Sequence, residues 1–212
     1  MGLIYEFPGQ DEPIQQGDIF VDIPRFDFAL KKIVVVVKNH PEETSWESAA
    51  KEGSPVTTIV QARPVTAIVI SQNCDSLRTP DINLCEVRNF RDVELKSKDT
   101  KNPKAWYRII TQQARLNQKW FYLPADEKVG FTEKMGADFM VTIRVPRADL
   151  EALRNLRKGR LNDMAASHFR ERIAEFYRRY PYDEWYPLNK EEMKAYQKDY
   201  TDSKPYPWQS SD

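Results

Sequence analysis

The sequence contains few of the features that mark specialised classes of protein. It has only two cysteines, Cys74 and Cys85, and no recognisable signal peptide, which argues against a secreted disulfide scaffold and favours a reducing, cytoplasmic location. Its 32 lysines and arginines balance 32 aspartates and glutamates, so the net charge is zero and no overall field attracts polyanions or membranes. The longest apolar run, Ile33–Val37, is far shorter than the roughly 20 residues that span a bilayer. Because the net charge is zero, any surface that binds nucleic acid must depend on a local group of positive charges.

Common catalytic signatures are absent as well. The chain holds no GxGxxG, P-loop, HExxH or GxSxG motif, so the usual signs of a nucleotide-binding protein, a zinc protease or a serine hydrolase are missing. Glycine is scarce, with seven in 212 residues, whereas aromatic residues make up 12% of the chain. An ordered core is therefore expected, except at the ends of the chain.

The hydrophobic pattern predicts strands first and helices last. Segments rich in β-branched and aromatic residues predict strands at 17–22, within 26–39, and at 56–71, 84–87, 106–111, 120–123 and 139–145. The segment 56–71 is either one long strand or two strands in sequence, interrupted near Pro64. Pro24 is expected to end the first strand, and the run at 33–37 is typical of a central strand covered on both faces. After Pro146, apolar residues recur every three or four positions, which predicts helices that break near Gly159 and a short helix that starts near Asn189. This order favours an α+β fold with an antiparallel sheet or small barrel.

The length suits one main core with an appendage. We expect residues 1–146 to form a β-barrel domain with a long insertion near 25–61. Residues 147–200 would then form a C-terminal helical cap, and residues 201–212 a loose tail rich in proline.

Three segments occur in an order that resembles the MazF/PemK-like toxins. They are "QGDIFVDIP" at 16–24, "ARPVTAIVISQN" at 62–73 and "RLNDMAASHFRERIAEF" at 160–176. The resemblance covers the chain from 16 to 178 in fragments. It implies a small antiparallel β-barrel, a homodimer, RNA held in a groove, and endoribonuclease chemistry that needs no metal or other cofactor. The motif "SQNCD" is also similar to one in bacterial proteins of this size.

The resemblance implies a role for one arginine in particular. Arg63 of "ARPV" matches the family's essential arginine, whose guanidinium would stabilise charge that develops as a 2′-hydroxyl attacks the scissile phosphate. The family's second essential residue, a Ser or Thr that closes the next strand, has no counterpart in "LCEVRNF" at 84–90. The segment 25–61 is much longer than the corresponding family loop, which points to altered specificity or a new role.

Cys74 and Asp75 follow directly after a predicted strand and allow three interpretations. A free cysteine in this position is often a small core residue, with the neighbouring aspartate bonded to its own turn. Alternatively, Cys74 is a thiolate nucleophile, which needs a base or cation beside it, and only His40 and His168 could supply an imidazole. The third interpretation is a zinc site that uses Cys74, Cys85 and a histidine, although the paired close spacings typical of zinc sites are missing.

Two further groups of residues are candidate phosphate or base contacts. In "WYRIITQQARLNQKWFY" at 106–122, Arg108, Arg115 and Lys119 alternate with aromatic residues such as Trp120, a composition suited to stacking single-stranded bases. Strands with aromatic residues inside and basic residues outside would produce the same pattern. The basic cluster at 154–160 is either a solvated helix face or a helix junction that grips phosphates.

These observations support a leading hypothesis and two alternatives. The first is a small-barrel protein that binds RNA or another single-stranded nucleic acid, extending to a divergent endoribonuclease, in which Arg63 acts in a groove lined by Asn73, Cys74 and Asp75. The second is a non-catalytic interaction or sensor module of a bacterial or phage conflict system, which binds a protein partner through "YDEWYPL" at 182–188. The third is a zinc or thiol site centred on Cys74.

Overall fold

The core of the described chain is built on one seven-stranded antiparallel sheet. The computed structural model describes residues 4–90 and 119–178, together with Lys194 and Lys198. The strands in this part of the chain are β1 (Tyr5–Glu6), β2 (Asp18–Asp27), β3 (Ile33–Val37), β4 (His40–Thr44), β5 (Thr58–Ile59), β6 (Gln61–Val69), β7 (Asp81–Asn89), β8 (Trp120–Leu123), β9 (Met135–Pro146) and β10 (Arg157–Leu161). The helices are α1 (Trp46–Ala49), α2 (Asn73–Arg78), α3 (Arg147–Ala152) and α4 (Asp163–Arg178), with single 3-10 turns at Ala50–Glu52 and Arg154–Leu156.

The large sheet curls into a half-barrel. Its strand order is β1-β10-β2-β6-β7-β9-β8, and each neighbouring pair is antiparallel. The curl brings the two ends of the sheet together. The Tyr5 hydroxyl on β1 donates a hydrogen bond of 2.8 Å to the carbonyl of Pro124, just after β8. The Tyr5 ring also meets Phe131 edge-on, with 5.9 Å between the ring centroids. The prediction of an α+β fold built on an antiparallel sheet is confirmed.

Hydrophobic residues cover both faces of this sheet. Successive residues of a strand point to opposite faces, so Ile19 and Phe20 of β2 enter two different clusters. One cluster contains Ile68, Cys85 and Phe139, and it packs against the apolar face of α4 through Ala165, Phe169 and Phe176. The other contains Val65, Ala67, Val69, Leu84 and Ile143, and Leu150 of α3 joins it. The sheet is therefore the middle layer of the core.

A small second sheet lies between β2 and β6 in the chain. Its order is β4-β3-β5, and a two-residue turn joins β3 to β4, where Lys38 and Asn39 have positive φ (48° and 66°), as a type I′ hairpin requires. Its central strand, β3, lies within the segment 26–39 that was predicted to hold a strand, but only Val35 of β3 is buried. The expectation that this strand is covered on both faces was wrong, because the small sheet leaves much of its surface to solvent.

Proline does not end β2 as the sequence suggested. The strand continues through Pro24 to Asp27, and Pro24 lies directly opposite Pro64 of β6. The expected interruption near Pro64 is absent as well, because β6 runs through this proline from Gln61 to Val69. Two prolines can face each other where an antiparallel pair exchanges no hydrogen bonds, since the missing N–H groups would point outward. At this level β10 no longer pairs with β2, and β7 pairs with β6 only from Thr66 onward. The proline pair thus marks where a two-stranded ribbon, formed by residues 23–27 and 61–65, leaves the main sheet.

The sequence predicts helices after Pro146 that break near Gly159, but residues 157–161 form a strand instead of parts of these helices. These residues form β10, which inserts between β1 and β2. A side chain at Gly159 would place its Cβ 3.2 Å from the Glu6 carbonyl oxygen, so glycine permits this close approach. Arg157 and Arg160 both bind the buried Asp18 carboxylate. The basic cluster is therefore neither a solvated helix face nor an open phosphate site at these two positions.

Some of the predicted features fall on parts of the chain that the structure does not describe. The strand at 106–111, the helix start near Asn189 and the tail at 201–212 lie outside the described residues. The segment "YDEWYPL" at 182–188, a candidate partner-binding segment, also lies outside them. Within the described residues, no helix combines the length and the apolar character needed to span a membrane.

Candidate functional site

Two arginines face each other on the ribbon. Arg25 of β2 is the register partner of Arg63 of β6, so both side chains lie on the same face. Directly opposed residues of an antiparallel pair have Cβ atoms about 5 Å apart, and like charges at this distance repel each other. The arrangement therefore needs carboxylates close by, and the structure provides two.

Glu86 of β7 holds both arginines from the interior side. Its side chain is only 4% exposed, and it accepts hydrogen bonds from Arg25 Nη1 and from Arg63 Nη2, the latter at 3.0 and 3.3 Å to its two oxygens. Burying a carboxylate is costly unless it is paired, and two guanidiniums satisfy this one. The pairing of β7 with β9 shifts register between Cys85 and Glu86, at the point where the carboxylate turns toward the arginines.

Asp27 binds the same two arginines from the solvent side. Its side chain is 56% exposed, with Oδ1 2.8 Å from Arg25 Nη2 and Oδ2 3.4 Å from Arg63 Nε. Burial lowers the pKa of the Arg25 guanidinium, but hydrogen bonds and charge attraction from Glu86 and Asp27 outweigh it, so the net shift is upward. Arg25 is therefore charged at neutral pH. The exposed fraction of the Arg63 side chain is 48%, so this guanidinium remains open to solvent.

Arg25, one member of the arginine pair, lines a groove of about 420 Å³. One wall consists of Arg25, Phe26 and Phe28, and the other consists of residues 140–144 of β9. Phe28 is 68% exposed, and Phe26 and Met140 are about half exposed. The far wall ends at Arg144, whose guanidinium pairs with Asp81. The groove thus combines cationic groups with exposed aromatic rings.

A second, more apolar groove of about 680 Å³ lies beside the small sheet. Phe28 borders both grooves, and Leu30, Trp46, Val56 and Ile59 line the second one with exposed side chains. This surface extends the aromatic wall of the first groove away from the arginines.

The residues of the "QNCD" segment form helix α2, away from Arg63. Asn73 Oδ1 accepts a hydrogen bond of 2.8 Å from the backbone N–H of Gln16, so this side chain anchors α2 to the segment before β2. Cys74 is exposed, which contradicts the interpretation of its thiol as a core residue. Gln72 and Asp75 lie beside the thiol, with 3.9 and 3.7 Å between the thiol sulfur and their oxygens. Neither is the imidazole or cation that the nucleophile interpretation requires.

The structure does not bring Cys74 and Asp75 to Arg63. Arg63 lies near the start of β6, whereas α2 follows the end of that strand. Six residues of strand separate Arg63 from Val69, which corresponds to about 20 Å at 3.3 Å per residue. The sequence predicts one groove that contains Arg63, Cys74 and Asp75, but the structure places Arg63 and the α2 residues at two separate locations.

Cys85 cannot join Cys74 in a metal site. It lies in the core cluster on the α4 side of the sheet, and burial, with the Asp138 carboxylate as a smaller cause, raises the pKa of its thiol well above the ordinary value. Within the described residues, no group of three histidine, cysteine or acidic side chains could hold a metal ion. His40 lies exposed on β4 and His168 lies exposed on α4.

Of the predicted stacking segment, only its last residues can be assessed. Trp120 is buried and meets Phe90 edge-on, with 4.7 Å between the ring centroids, which corrects its assignment as a base-stacking platform. Lys119 is exposed just before β8. Arg108 and Arg115 lie outside the described residues.

The sequence singled out Arg63 as a candidate but did not identify the side chains that surround it in the structure. Arg25, Asp27 and Glu86 come from other elements, and Phe28 follows the ribbon. One local signal was present, because "PR" at 24–25 is mirrored by "RP" at 63–64, as expected of an antiparallel pair in which proline faces proline and arginine faces arginine.

Comparisons with protein-family models, with curated proteins and with solved structures find no match to this chain.

Proposed function

We propose that this protein binds single-stranded RNA in the groove between the ribbon and β9, with Arg25 and Arg63 directed to the phosphate backbone. The observation that carries the proposal is the arginine pair itself, held in place by the buried Glu86 and partly open to solvent. Arginine binds phosphate oxygens through a planar fork of donors, and a buried partner that fixes the side chain reduces the entropy lost on binding.

Exposed aromatic rings supply the second element of RNA recognition. Proteins that bind single strands combine a cationic groove with rings on which bases stack, and each such base contributes about 1–3 kcal/mol. Phe26 and Phe28 extend along one wall of the groove next to Arg25. Because the chain has no net charge, attraction to RNA must come from local groups of positive charge, and this arrangement is one of them.

Cleavage of the bound RNA is a further part of the proposal, and it rests on the MazF/PemK resemblance. In that resemblance the curled sheet corresponds to the family's small barrel, the active form is a homodimer, and Arg63 stabilises charge at the scissile phosphate. The family's Ser or Thr is absent from 84–90, where this chain has Glu86 against Arg63. We therefore expect cleavage, where it occurs, to depend on Arg63 and to persist in EDTA.

The test is an equilibrium binding measurement with a labelled, mixed-sequence single-stranded RNA. Arg63→Ala is expected to weaken binding by about 1.5–3 kcal/mol, roughly 10- to 150-fold, because it removes a charge-assisted contact. Phe28→Ala is expected to weaken binding by about 1–3 kcal/mol through lost stacking.

Two matched controls accompany these variants. Lys158→Ala removes one exposed positive charge from β10, and Phe7→Ala removes an exposed phenylalanine near β1; neither residue lines the groove. Equal effects of the Arg63 and Phe28 variants and of their controls, with folding intact by circular dichroism, would contradict the proposal.

A specific observation also favours the second candidate, a protein-interaction module. The exposed side chains of Leu30, Trp46 and Ile59 form an apolar surface beside the small sheet. Large exposed apolar patches often mark protein interfaces. Absence of RNA binding, together with a stable protein complex that Trp46→Ala disrupts, would support this alternative.

A further inference from the structure

The two carboxylates that bind the arginine pair differ in what holds them in place. Glu86 is buried beneath the guanidiniums, whereas the Asp27 side chain is more than half exposed at the last residue of β2. Both carboxylates contact both arginines, so the four side chains form a sandwich of carboxylate, two guanidiniums and carboxylate.

Only one of these carboxylates can be exchanged for a ligand at low cost. A buried carboxylate that loses its cationic partners is strongly destabilising, so Glu86 must stay paired. An exposed ion pair contributes little to stability, because water solvates both groups when they separate. Asp27 can therefore rotate into solvent while Arg25 and Arg63 remain fixed by Glu86.

The charges that remain indicate the chemical class of the ligand. When Asp27 leaves, two guanidiniums and one carboxylate carry a net charge of +1 at the site. A phosphodiester carries one negative charge and presents oxygens to two donors, as Asp27 does at 2.8 Å from Arg25 Nη2 and 3.4 Å from Arg63 Nε.

We propose that the position of the Asp27 carboxylate is a phosphodiester subsite, and that Asp27 is an internal competitor that a backbone phosphate displaces. This inference rests on the proposed RNA-binding function and adds its mechanism of regulation. While the Asp27 carboxylate occupies the subsite, it lowers the affinity of the arginine pair for any anion that makes only a single contact. A strand that also stacks on Phe28 gains enough binding energy to displace it.

The test compares RNA binding by the wild-type chain with binding by Asp27→Asn. Removal of the competing charge is expected to tighten binding about two- to fivefold, the reverse of the usual effect of deleting a surface contact. The matched control is Asp22→Asn, which removes another exposed carboxylate from β2, at a positive φ of 56° that asparagine also tolerates. This control is expected to leave the affinity unchanged.

Two further arms make the result specific to the subsite. The gain from Asp27→Asn should disappear in the double variant Asp27→Asn/Arg63→Ala, because the freed guanidinium is then missing. It should also disappear with RNA whose linkages are uncharged methylphosphonates, which offer no anion to the site.

The outcomes separate the two proposals. If neither the wild-type chain nor Asp27→Asn binds RNA, the proposed function itself fails. If the wild-type chain binds and Arg63→Ala weakens binding, while Asp27→Asn gains no more than Asp22→Asn, the RNA site stands and the displacement inference is overturned.

Discussion

At the residue scale, two clusters of arginine and carboxylate have opposite consequences. Asp18 is fully buried between Arg157 and Arg160, whose side chains are almost completely buried as well. Arg25 and Arg63 share the buried Glu86, but they keep part of their surface in solvent. The Asp18 cluster is closed to solvent and connects β10 to β2, whereas the Glu86 cluster remains open to a ligand.

The burial of the Asp18 cluster leads to a prediction about stability. Asp18→Asn leaves two buried guanidiniums without their shared carboxylate, so the free energy of unfolding should fall by about 3–5 kcal/mol. Denaturant titration measures this change. The control is Glu12→Gln, which removes an exposed carboxylate that also pairs with Arg160 and should change stability far less. A small effect of Asp18→Asn would mean that the arginines are not buried as described.

At the scale of elements, glycine decides how β10 and β2 meet. Gly17 has a φ of +92°, its N–H donates to the Val69 carbonyl at 2.9 Å, and its carbonyl accepts from the Leu161 N–H at 3.1 Å. An added Cβ would lie 3.2 Å from the Leu161 Cβ. The residue therefore needs both an unusual backbone angle and the absence of a side chain.

Gly17→Ala should destabilise the protein more than an alanine placed at a similar angle elsewhere. Gly130 has a φ of +86° and nothing within 4 Å of an added Cβ, so Gly130→Ala isolates the cost of the backbone angle, about 1–2 kcal/mol. Gly17→Ala should cost about 1 kcal/mol more, because crowding adds to the strain. Thermal or denaturant unfolding of the two variants tests the difference, and equal costs would contradict the close packing against Leu161.

The elements show which sequence signals were sufficient. The run at 120–123 was predicted as a strand and is β8, because its aromatic residues lie between clear turn signals. β10 was missed because Leu150, Leu153, Leu156 and Leu161 mimic one helical face, although they belong to α3, a turn and a strand. Spacing alone could not reveal that Arg157 and Arg160 pair with Asp18, about 140 residues earlier.

At the scale of the whole molecule, the curl of the sheet depends on contacts between its two ends. Tyr5 connects β1 to Pro124 by its hydroxyl and to Phe131 by its ring. Burial, with smaller contributions from Tyr122 and Asp126, raises the pKa of the Tyr5 phenol above its ordinary range. The neutral phenol is therefore the form that stabilises the fold.

Tyr5→Phe should change both the size and the pH dependence of stability. At neutral pH it should lower the free energy of unfolding by about 0.5–1.5 kcal/mol, through the lost hydrogen bond to Pro124. Because the folded pKa is raised, the contribution of Tyr5 is full below about pH 10 and is lost as pH rises further, when the unfolded chain ionises first.

The difference between wild type and Tyr5→Phe should therefore shrink above about pH 10. Denaturant titrations at neutral and alkaline pH measure it. Tyr177→Phe, at a largely exposed tyrosine, serves as the control. A difference in stability between wild type and Tyr5→Phe that grows with pH would contradict the conclusion that the neutral phenol stabilises the fold.

The candidate site could be predicted only in part, because it is assembled by long-range pairing. The local motif "ARPV" identified Arg63, but Glu86 reaches it from a different strand and Asp27 reaches it across the ribbon. The same pairing leaves Cys74 at the other end of β6, although only eleven positions separate it from Arg63 in the sequence. The direction of β6 decides which candidate residues lie near one another, and a short local motif does not encode that direction.

The most direct test of the central claim is to map where RNA touches the full chain. Thiouridine-containing single-stranded RNA can be cross-linked by light to the protein, and the modified peptides identified by mass spectrometry. The account predicts adducts on the peptides that contain Phe26, Phe28 or Met140, which line the groove beside Arg25. Binding accompanied by adducts only on other peptides, such as those of α2 or α4, would contradict it.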